Sequence, residues 1–351
     1  LQFLNFHGLR ILTFFHFWYI FRNLEILYAY YWYLFILKLT VLIPAYNEEK
    51  TIGKVIKEIP KEIPNIDKID VLVINDGSSD DTVQASKDSG AKVFSFKQNQ
   101  GRAKAVAEGF KKFVESGSDI LVLTDADDQY DSGEIPLIVN PILNGDADMV
   151  LGDRQVKKLD HMKFGNKIGN RMVTKTLSSL IKMDISDGQS GFRAYTREAV
   201  AKLHIFSSYT FTQETLIETK FKGLKMINVP ITFRKRADKS RLISNIFSYA
   251  SKTLTIVTAT IVYYRAVKFF GILAAILFSI GFIFSVFVLN HFYATGSVAP
   301  YYPSTMLAIL FLIVGSVSTL MTVISSILGR QSIMLEEILY NLRMKNSDLS
   351  K

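Results

Sequence analysis

The chain has 351 residues, of which 49% are hydrophobic, and a formal net charge of +9. It contains no cysteine, which excludes a disulfide framework and a thiolate-ligated metal site. The length suits one sizeable folded domain together with a smaller unit, and the hydrophobic residues are unevenly distributed along it.

The first 38 residues form an aromatic-rich extension that contains 14 aromatic side chains. Arg22, Asn23 and Glu25 divide it into two apolar pieces, each too short to span a bilayer. Two interpretations stay open: interfacial helices on a membrane surface, or an extension upstream of a translation start near Lys38.

From residue 39 onward, short apolar runs alternate with helical segments, which predicts an α/β domain over residues 39–241 with a mostly parallel sheet covered on both faces. The predicted strands are 39–43, 70–75, 92–96, 120–124, 148–152, 191–195 and 225–229. The predicted helices are 49–59, 80–89, 102–116, 133–143, 197–203 and 212–221. The pattern loosens after Gly152 and predicts no regular element until residue 191.

The C-terminal part predicts a membrane anchor. Residues 242–268 are apolar but interspersed with polar side chains, which favours amphipathic juxtamembrane helices. The uncharged runs 269–289 and 304–328 each exceed the ~20 residues that cross hydrocarbon. They predict a transmembrane hairpin over 269–328, followed by a cytoplasmic tail over 329–351. Because Arg and Lys flank the hairpin but are missing from its connecting loop, the domain and both termini are expected in the cytoplasm.

Two basic segments precede these spans. Residues 220–241 hold eight basic side chains against Asp238, and residues 154–175 hold seven against Asp160. Basic segments close to membrane spans meet lipid phosphates more often than nucleic acid. The sequence therefore predicts a membrane partner and no nucleic acid.

A cluster of acids follows the apolar strand predicted at 120–124, in the order Asp125-Ala126-Asp127-Asp128-Gln129. Ligands of open α/β sheets lie beyond the carboxyl ends of strands, and alternating carboxylates suit Mg²⁺ or Mn²⁺ bridging a diphosphate. A solvated turn or a helix cap is the alternative interpretation of such acids. Their position directly after a buried strand favours the ligand-binding interpretation.

Two other predicted strands end in polar groups at the same edge, in the segments 44–48 and 75–80. Tyr46 could stack on a base, and Glu48 and Asp76 could accept hydrogen bonds from a nucleoside. The Asp, Gly and Ser residues after position 75 also suit an ordinary turn with a helix cap, and both interpretations can hold together. Neither a dinucleotide-binding G-x-G-x-x-G nor a P-loop occurs at these turns.

Four segments together resemble the family 2 glycosyltransferases of GT-A type, and within them the archaeal dolichyl- or polyprenyl-phosphate hexose synthases. They are V-L-I-P-A-Y-N-E at 41–48, N-D-G-S-S-D-D-T at 75–82, the D-x-D of Asp125 and Asp127, and D-G-Q-S-G-F-R-A-Y at 187–195. The likeness covers residues 39–241, which it identifies as a catalytic domain, and the paired spans continue it.

The resemblance implies roles for individual residues. The residues expected at the nucleotide-sugar donor are Pro44, Tyr46, Glu48, Ile74, Asp76, Lys104, Asp125, Ala126 and Arg154. Those expected around the metal are Asp125, Asp127 and Gln129. The expected catalytic residues are Asp127, Glu214 and Arg236. Those expected at the acceptor phosphate are Arg234, Arg236, Ser240 and Arg241.

The chain departs from the family pattern at three places. Asp238 stands where Gly is usual in the R-x-G-x-S-K element, and Arg241 stands where Lys is usual. Thr215 follows Glu214, where relatives that glycosylate hydroxyls place an Asp. A phosphate monoester has its second pKa near ~6 and is largely ionised at neutral pH, so a phosphate acceptor removes the demand for a strong base.

The expected activity is therefore inverting transfer of glucose, N-acetylglucosamine or mannose from a UDP- or GDP-sugar to dolichyl or polyprenyl phosphate on the cytoplasmic face, for protein glycosylation. The resemblance favours UDP-glucose or UDP-N-acetylglucosamine as the donor and leaves a homo-oligomer open. One alternative is a processive polysaccharide synthase, although its Q-x-x-R-W motif is missing because the only tryptophans are Trp18 and Trp32. The other is a catalytically silent nucleotide-sugar-binding membrane protein, which the intact Asp125, Asp127 and Arg236 disfavour.

Overall fold

A computed structural model of the chain describes residues 36–160, 162, 164–205, 211–235 and 265–348. The N-terminal extension up to residue 35 and most of the juxtamembrane segment lie outside these residues. The predicted site residues Arg236, Ser240 and Arg241 also lie outside them.

Seven strands form one sheet in the order β3-β2-β1-β4-β6-β5-β7. They are β1 (Lys38–Ala45), β2 (Lys68–Asn75), β3 (Lys92–Ser95), β4 (Ile120–Leu123), β5 (Met149–Asp153), β6 (Arg193–Thr196) and β7 (Met226–Pro230). β6 runs antiparallel to its neighbours β4 and β5, and the other pairs are parallel. The prediction of a mostly parallel α/β sheet is confirmed.

Seven helices accompany the sheet within the described part of the domain. They are α1 (Ile52–Glu58), α2 (Thr82–Asp88), α3 (Arg102–Ser116), α4 (Ile135–Leu143), α5 (Phe164–Ile181), α6 (Arg197–Lys202) and α7 (Phe211–Phe221). Alternate residues of the strands face two apolar layers, as expected for a sheet covered on both sides. Leu42 of β1 packs in one layer with α3, and its neighbours Val41 and Ile43 pack in the other with α1 and α4.

Helix α3 approaches the sheet closely at one point. A Cβ added to Gly109 would lie 2.4 Å from the side chain of Leu42. The glycine therefore allows α3 to pack closely against β1. This packing also positions the loop before α3, and that loop contributes to the site described below.

Helix α5 was missed by the sequence analysis, which predicted no element there. Its buried residues are Gly169, Asn170, Val173, Thr174, Leu177 and Ile181. Half of this face is small or polar, so the helical period of apolar residues is weak. The buried Asn170 amide is satisfied by a hydrogen bond of 2.8 Å from Nδ2 to Asp187 Oδ1.

Two helices, α8 (Ala266–Thr295) and α9 (Tyr302–Asp348), are long and apolar enough to cross a membrane. They pack against each other through small residues, as spanning helices commonly do. Gly281 faces Leu312, and Gly315 faces the ring of Phe278, where an added Cβ would approach to 3.1 and 3.2 Å. The two long apolar helices predicted here are confirmed, but α9 continues far beyond the predicted span.

The carboxyl ends of β1, β2, β4 and β5 meet at one edge of the sheet. Because β6 is antiparallel, its first residues lie at this same edge. The chain order reverses between β1 and β4, which is the place where open α/β sheets form a crevice for ligands. We call this the upper edge.

Candidate active site

The turn after β2 is held by a buried carboxylate. Asp76 is 3% exposed, and its two oxygens accept backbone N–H groups from Gln100 at 2.7 Å and Gly101 at 2.9 Å. Gly77, at φ +73°, lies so close to the 98–99 backbone that an added Cβ would approach to 2.6 Å. Asp76 therefore anchors the loop that leads into α3, in addition to any role at a donor.

The turn after β1 interlocks with the turn after β2. The N–H of Asn47 donates to Ser78 Oγ at 2.9 Å, and Asn47 Oδ1 accepts the N–H of Ser79 at 2.9 Å. The N–H of Glu48 donates to Thr82 Oγ1 at 2.8 Å. Tyr46 is 40% exposed beside this junction. The interlocked backbone leaves the phenol ring of Tyr46 accessible at the crevice, as a ring that stacks on a base requires.

Three predicted donor residues are buried at this edge. Pro44 and Ile74 lie in β1 and β2, and Ala126 lies between the two aspartates. The buried residues shape the floor of the crevice, since Ile74 is 0% and Ala126 4% exposed. Lys104 is placed differently, because it lines a cavity between α3, α6 and α9.

Asp125 forms an ion pair with Arg102, the first residue of α3. The guanidinium of Arg102 also lies over the ring of Phe211, 5.2 Å from its centroid. A Cβ added to Gly191 would lie 2.8 Å from Arg102 Nη2 and 3.1 Å from Asp125 Oδ1. The glycine thus leaves room for this charge pair at the centre of the upper edge.

The other two aspartates of the acidic loop, Asp127 and Asp128, have different surroundings. Asp127 is half-buried and accepts the N–H of Gln129 at 3.3 Å. Asp128, with a left-handed φ of 60°, turns away from it and forms ion pairs with Lys54 and Arg234. Asp125 and Asp127 therefore remain as the alternating pair, whereas Asp128 stabilises the loop.

Arg234 is surrounded by carboxylates. Its Nη1 lies 2.8 Å from Glu58 and 3.0 Å from Asp128, and its Nη2 lies 2.8 Å from Asp131. Its backbone N–H donates to the carbonyl of Gln129 at 2.7 Å. The contacts fasten the segment after β7 to the acidic loop, and the predicted contact of Arg234 with an acceptor phosphate stays a prediction.

Arg154, directly after β5, forms a bidentate pair with Asp187. Its Nε lies 2.6 Å from Oδ2 and its Nη2 3.0 Å from Oδ1, with the two side chains only 11% and 0% exposed. Burial alone would raise the pKa of Asp187, but the adjacent guanidinium lowers it below its ordinary value. The pair fixes the guanidinium of Arg154 at the end of β5, where it lies 5.0 Å from the centroid of the Phe233 ring.

The start of β6 is fastened by two buried side chains. The N–H of Gly191 donates to the hydroxyl of Tyr130 at 2.8 Å. Arg193, fully buried, donates from Nε to the carbonyl of Ser190 at 2.8 Å and from Nη1 to Thr215 Oγ1 at 2.7 Å. Thr215 follows Glu214, which is half-buried in the first turn of α7. Glu214 is therefore positioned by the same network that positions Gly191.

A cavity of 1040 Å³ opens beside Arg154, between the end of β5 and α5. We call it the basic groove, because one carboxylate, Asp153, and five cationic side chains line it: Lys157, Lys158, Lys167, Arg171 and Lys175. Within the described part of the chain, no carboxylate forms an ion pair with any of these five. The groove also contains the exposed ring of Phe164 and the side chain of Ile168. Its chemistry suits an anion that carries an apolar chain.

The comparisons with known proteins agree with this architecture. Residues 40–203 match the family description Glycosyl transferase family 2. The UDP-N-acetylglucosamine–dolichyl-phosphate N-acetylglucosaminyltransferase of Methanococcus voltae is 31% identical over 213 residues, which cover 54% of this chain and 83% of that protein. The chain belongs to glycosyltransferase family 2.

Two further proteins are similar to this glycosyltransferase. The dolichyl-phosphate hexose transferase of Haloferax volcanii is 30% identical over 204 residues, which cover 58% of this chain and 86% of that protein. The crystal structure of glucosyl-3-phosphoglycerate synthase from Mycobacterium tuberculosis has a TM-score of 0.51 at 24% identity, covering 64% of this chain and 79% of that one. The predicted GT-A-type fold is confirmed.

The donor set of the glycosyltransferase fits a shared metal site. In the described part of the chain, no three His, Asp or Glu side chains are grouped so as to hold an ion alone. Mg²⁺ commonly takes one or two carboxylates and completes its shell with water and substrate phosphates. Asp125 and Asp127, alternating at the crevice, match that pattern.

Sequence reasoning missed three residues of this edge: Arg102, Asp187 and Tyr130. It selected Lys104 near the start of α3, although Arg102 is the residue that contacts Asp125. The helical period could have separated them, because positions two apart on a helix point in different directions. Asp187 opens the motif at 187–195 that carries the resemblance, but the motif did not reveal its pairing with Arg154, and the contact of Tyr130 with Gly191 leaves no local signal in the sequence.

Proposed function

We propose that this glycosyltransferase moves a hexose from a nucleotide diphosphate sugar to dolichyl or polyprenyl phosphate. The observation that carries the proposal is that the basic groove opens after β5, at the same edge of the sheet as the acidic loop that follows β4. The names of the Methanococcus and Haloferax relatives, which both contain dolichyl phosphate, support the same acceptor class.

The donor lies across the ends of β1, β2 and β4. Tyr46 stacks on the base, and Glu48 and Asp76 accept hydrogen bonds from the nucleoside, with Pro44, Ile74 and Ala126 forming the floor. We add Arg102 to this set, since its guanidinium is already at the acidic loop. UDP-glucose and UDP-N-acetylglucosamine are the preferred donors, ahead of GDP-mannose, and Lys104 retains its proposed donor contact.

Asp125, Asp127 and Gln129 would be the residues that hold Mg²⁺ or Mn²⁺. When bound, the ion neutralises charge that develops on the departing nucleoside diphosphate. Arg102 is paired with Asp125 in the present structure. A guanidinium at this place can turn from the carboxylate to the diphosphate, because Arg binds carboxylate and phosphate oxygens alike through paired N–H groups.

The acceptor phosphate lies at the mouth of the basic groove, with its polyprenyl chain leading toward the membrane. The cations of the groove, which form no ion pair with the described carboxylates, supply its counter-charge, and Phe164 and Ile168 supply apolar contact. The segment with Arg236, Ser240 and Arg241 completes the phosphate site in this proposal, and it follows Arg234 directly in the chain.

The reaction is an inverting displacement at the anomeric carbon. A phosphate oxygen of the acceptor forms the new bond from one face as the bond to the nucleoside diphosphate breaks on the other. Because the acceptor is already ionised near neutral pH, no strong base is required, and Glu214 orients the nucleophile. Arg154, held by Asp187, lies between the two sets of phosphates.

In this proposal the reaction takes place at the cytoplasmic face of the membrane. Arg265, Lys268 and Arg330 flank the spans on the side of the catalytic domain, as the distribution of positive charge in membrane proteins favours. The product would be a lipid-linked sugar available for protein glycosylation.

A donor screen tests the proposal. The purified full chain, in vesicles with undecaprenyl phosphate and Mn²⁺, is incubated separately with radiolabelled UDP-glucose, UDP-N-acetylglucosamine and GDP-mannose. We expect label in the lipid fraction with one of these donors, and a product of opposite anomeric configuration by NMR. Hydrolysis of a donor with no lipid product for any of the three would contradict the proposal.

A further inference from the structure

Helix α9 does not end where the membrane span ends. Its uncharged run stops at Leu328, yet the helix of 47 residues continues to Asp348 without interruption. We call residues 329–348 the strut. They lie outside the family match, which ends at residue 203.

The strut is docked on the catalytic domain through Arg343. Its Nη1 donates to the backbone carbonyls of Ala201 at 3.0 Å and Leu203 at 3.4 Å. These carbonyls lie at the end of α6, where helical carbonyl groups lack partners within the helix and carry partial negative charge. Arg343 therefore caps a helix of the catalytic domain from outside.

A second contact lies two turns earlier on the strut. Lys222, at the end of α7 and only 12% exposed in its side chain, lies 3.4 Å from Glu336 and 3.6 Å from Glu218 of α7. The cation is thus shared between the catalytic domain and the strut. Tyr340 lies between these two polar contacts, and Met344 follows Arg343. Both pack against the apolar core that contains residues of α3 and α6.

The positions of these contacts set the height of the catalytic domain. Glu336 and Arg343 lie 8 and 15 residues beyond Leu328, which is about 12 and about 22 Å along a helix axis. The headgroup layer of one leaflet is only about 5–8 Å thick. The docking contacts therefore lie in water beyond the headgroups, and one rigid element joins the membrane span to the helices that carry Arg102 and Glu214.

We propose that the strut holds the catalytic domain at a fixed height and orientation over the bilayer, so that the basic groove meets acceptor phosphates confined to the membrane plane. The proposal rests on the proposed function and makes Arg343 and Glu336 positioning residues. A docked helix restricts the orientations that a domain tethered by flexible chain would sample, and so raises the effective concentration of a membrane-bound acceptor.

A matched pair of substitutions at Gly329 tests the strut without touching its docking contacts. An added Cβ at Gly329 meets nothing within 4 Å, so Gly329→Ala keeps the helix intact. Gly329→Pro interrupts it at the membrane boundary, because proline removes a backbone hydrogen bond and clashes with the preceding turn. Both variants are assayed with undecaprenyl phosphate in vesicles and with citronellyl phosphate, a short water-soluble prenyl phosphate.

We expect Gly329→Pro to lower transfer to the bilayer-held acceptor by about tenfold and transfer to the soluble acceptor by less than about twofold. Gly329→Ala should leave both unchanged. An equal loss with both acceptors, or no loss with either, would overturn the positioning role. A wild-type enzyme that uses neither phosphate would instead contradict the proposed function.

A distance measurement tests the strut independently of catalysis. Because the chain has no cysteine, spin labels can be attached at Lys87→Cys on α2 and Asn341→Cys on the strut, both exposed in the structure. We expect one narrow distance distribution in vesicles. Combining Arg343→Ala with Glu336→Gln should broaden it, whereas Glu337→Gln, the neighbouring acid, should not. A broad distribution in the otherwise unsubstituted chain would overturn the proposal.

Discussion

The acidic loop after β4 and the basic groove after β5 lie at the same edge of the sheet, with β6 between the two strands, but they differ in how their charges are paired. At the upper edge, Asp125 and Asp128 already have cationic partners, from Arg102, Lys54 and Arg234. In the groove, the five lining cations have no carboxylate partner among the described residues. In the proposed function, the acidic residues of the upper edge exchange these internal cations for a metal-bound diphosphate, and the cations of the groove bind the acceptor phosphate.

The largest effect is expected at the upper edge. Asp127→Ala removes one of the two carboxylates that we propose as metal ligands, and turnover with Mn²⁺ should fall by at least about 10³-fold. Asp128→Asn is the matched control in the same loop, since Asp128 contacts Lys54 and Arg234 instead. Retention of metal-dependent turnover by the Asp127 variant would place the metal elsewhere.

The boundary between the two regions should be the next most sensitive place. Asp187→Asn leaves Arg154 buried without its carboxylate, which should destabilise the domain by about 3 kcal/mol, measured by denaturant unfolding. Because the folded pKa of Asp187 lies below its ordinary value of 3.8, its stabilisation is complete above that pH and is lost as the pH falls further. The variant should lose this acid dependence. Unchanged stability would show that the pair does not hold Arg154.

A smaller effect is expected in the groove, where a substitution should change the KM for the acceptor but not the KM for the donor. Arg171→Ala should raise the KM for undecaprenyl phosphate by about tenfold, since a charge-assisted hydrogen bond contributes about 1.5 kcal/mol or more. The KM for the nucleotide sugar should stay the same. Lys87→Ala, which removes an exposed cation on α2, serves as the control. Equal increases in both KM values would argue against the groove as the acceptor site.

The smallest effect concerns ionic strength. Exposed cations are screened by salt more strongly than a coordinated metal, so raising NaCl should weaken acceptor use by roughly threefold while the donor KM changes little. Replacing Lys157 and Lys158 together by Ala should flatten this dependence. A steeper salt dependence for the donor than for the acceptor would reverse the roles assigned to the two regions.

The two regions also differ in how far the sequence predicted them. The upper edge follows short apolar strands, and the acidic cluster at 125–128 and the turns at 44–48 and 75–80 are local patterns that could be read directly. The groove depends on α5. The buried face of this helix is partly small and polar, so the sequence shows no clear helical period of apolar residues there. Its basic residues were noted as a charged segment, but their convergence on one cavity is a tertiary property.

Contacts between residues far apart in the chain account for the other differences between the sequence-based predictions and the structure. Arg234 was assigned to the acceptor phosphate, and its pairing with Glu58 involves residues far apart in the chain. The tail after residue 328 was predicted to be cytoplasmic, but its docking through Arg343 could not be predicted, because the contacted carbonyls carry no side-chain signature. Composition and motifs specify elements and turns, whereas the choice of ion-pair partner is decided by packing.

The most direct test of transfer to a lipid phosphate compares two acceptors that differ in one group. Vesicles containing undecaprenyl phosphate or undecaprenol are incubated with the full chain, Mn²⁺ and the labelled donor panel, and label in the extracted lipid is counted. We expect label on the phosphate and none above background on the alcohol. Equal or preferential labelling of undecaprenol would contradict the account, because a hydroxyl acceptor needs a base and has no use for the cations of the groove.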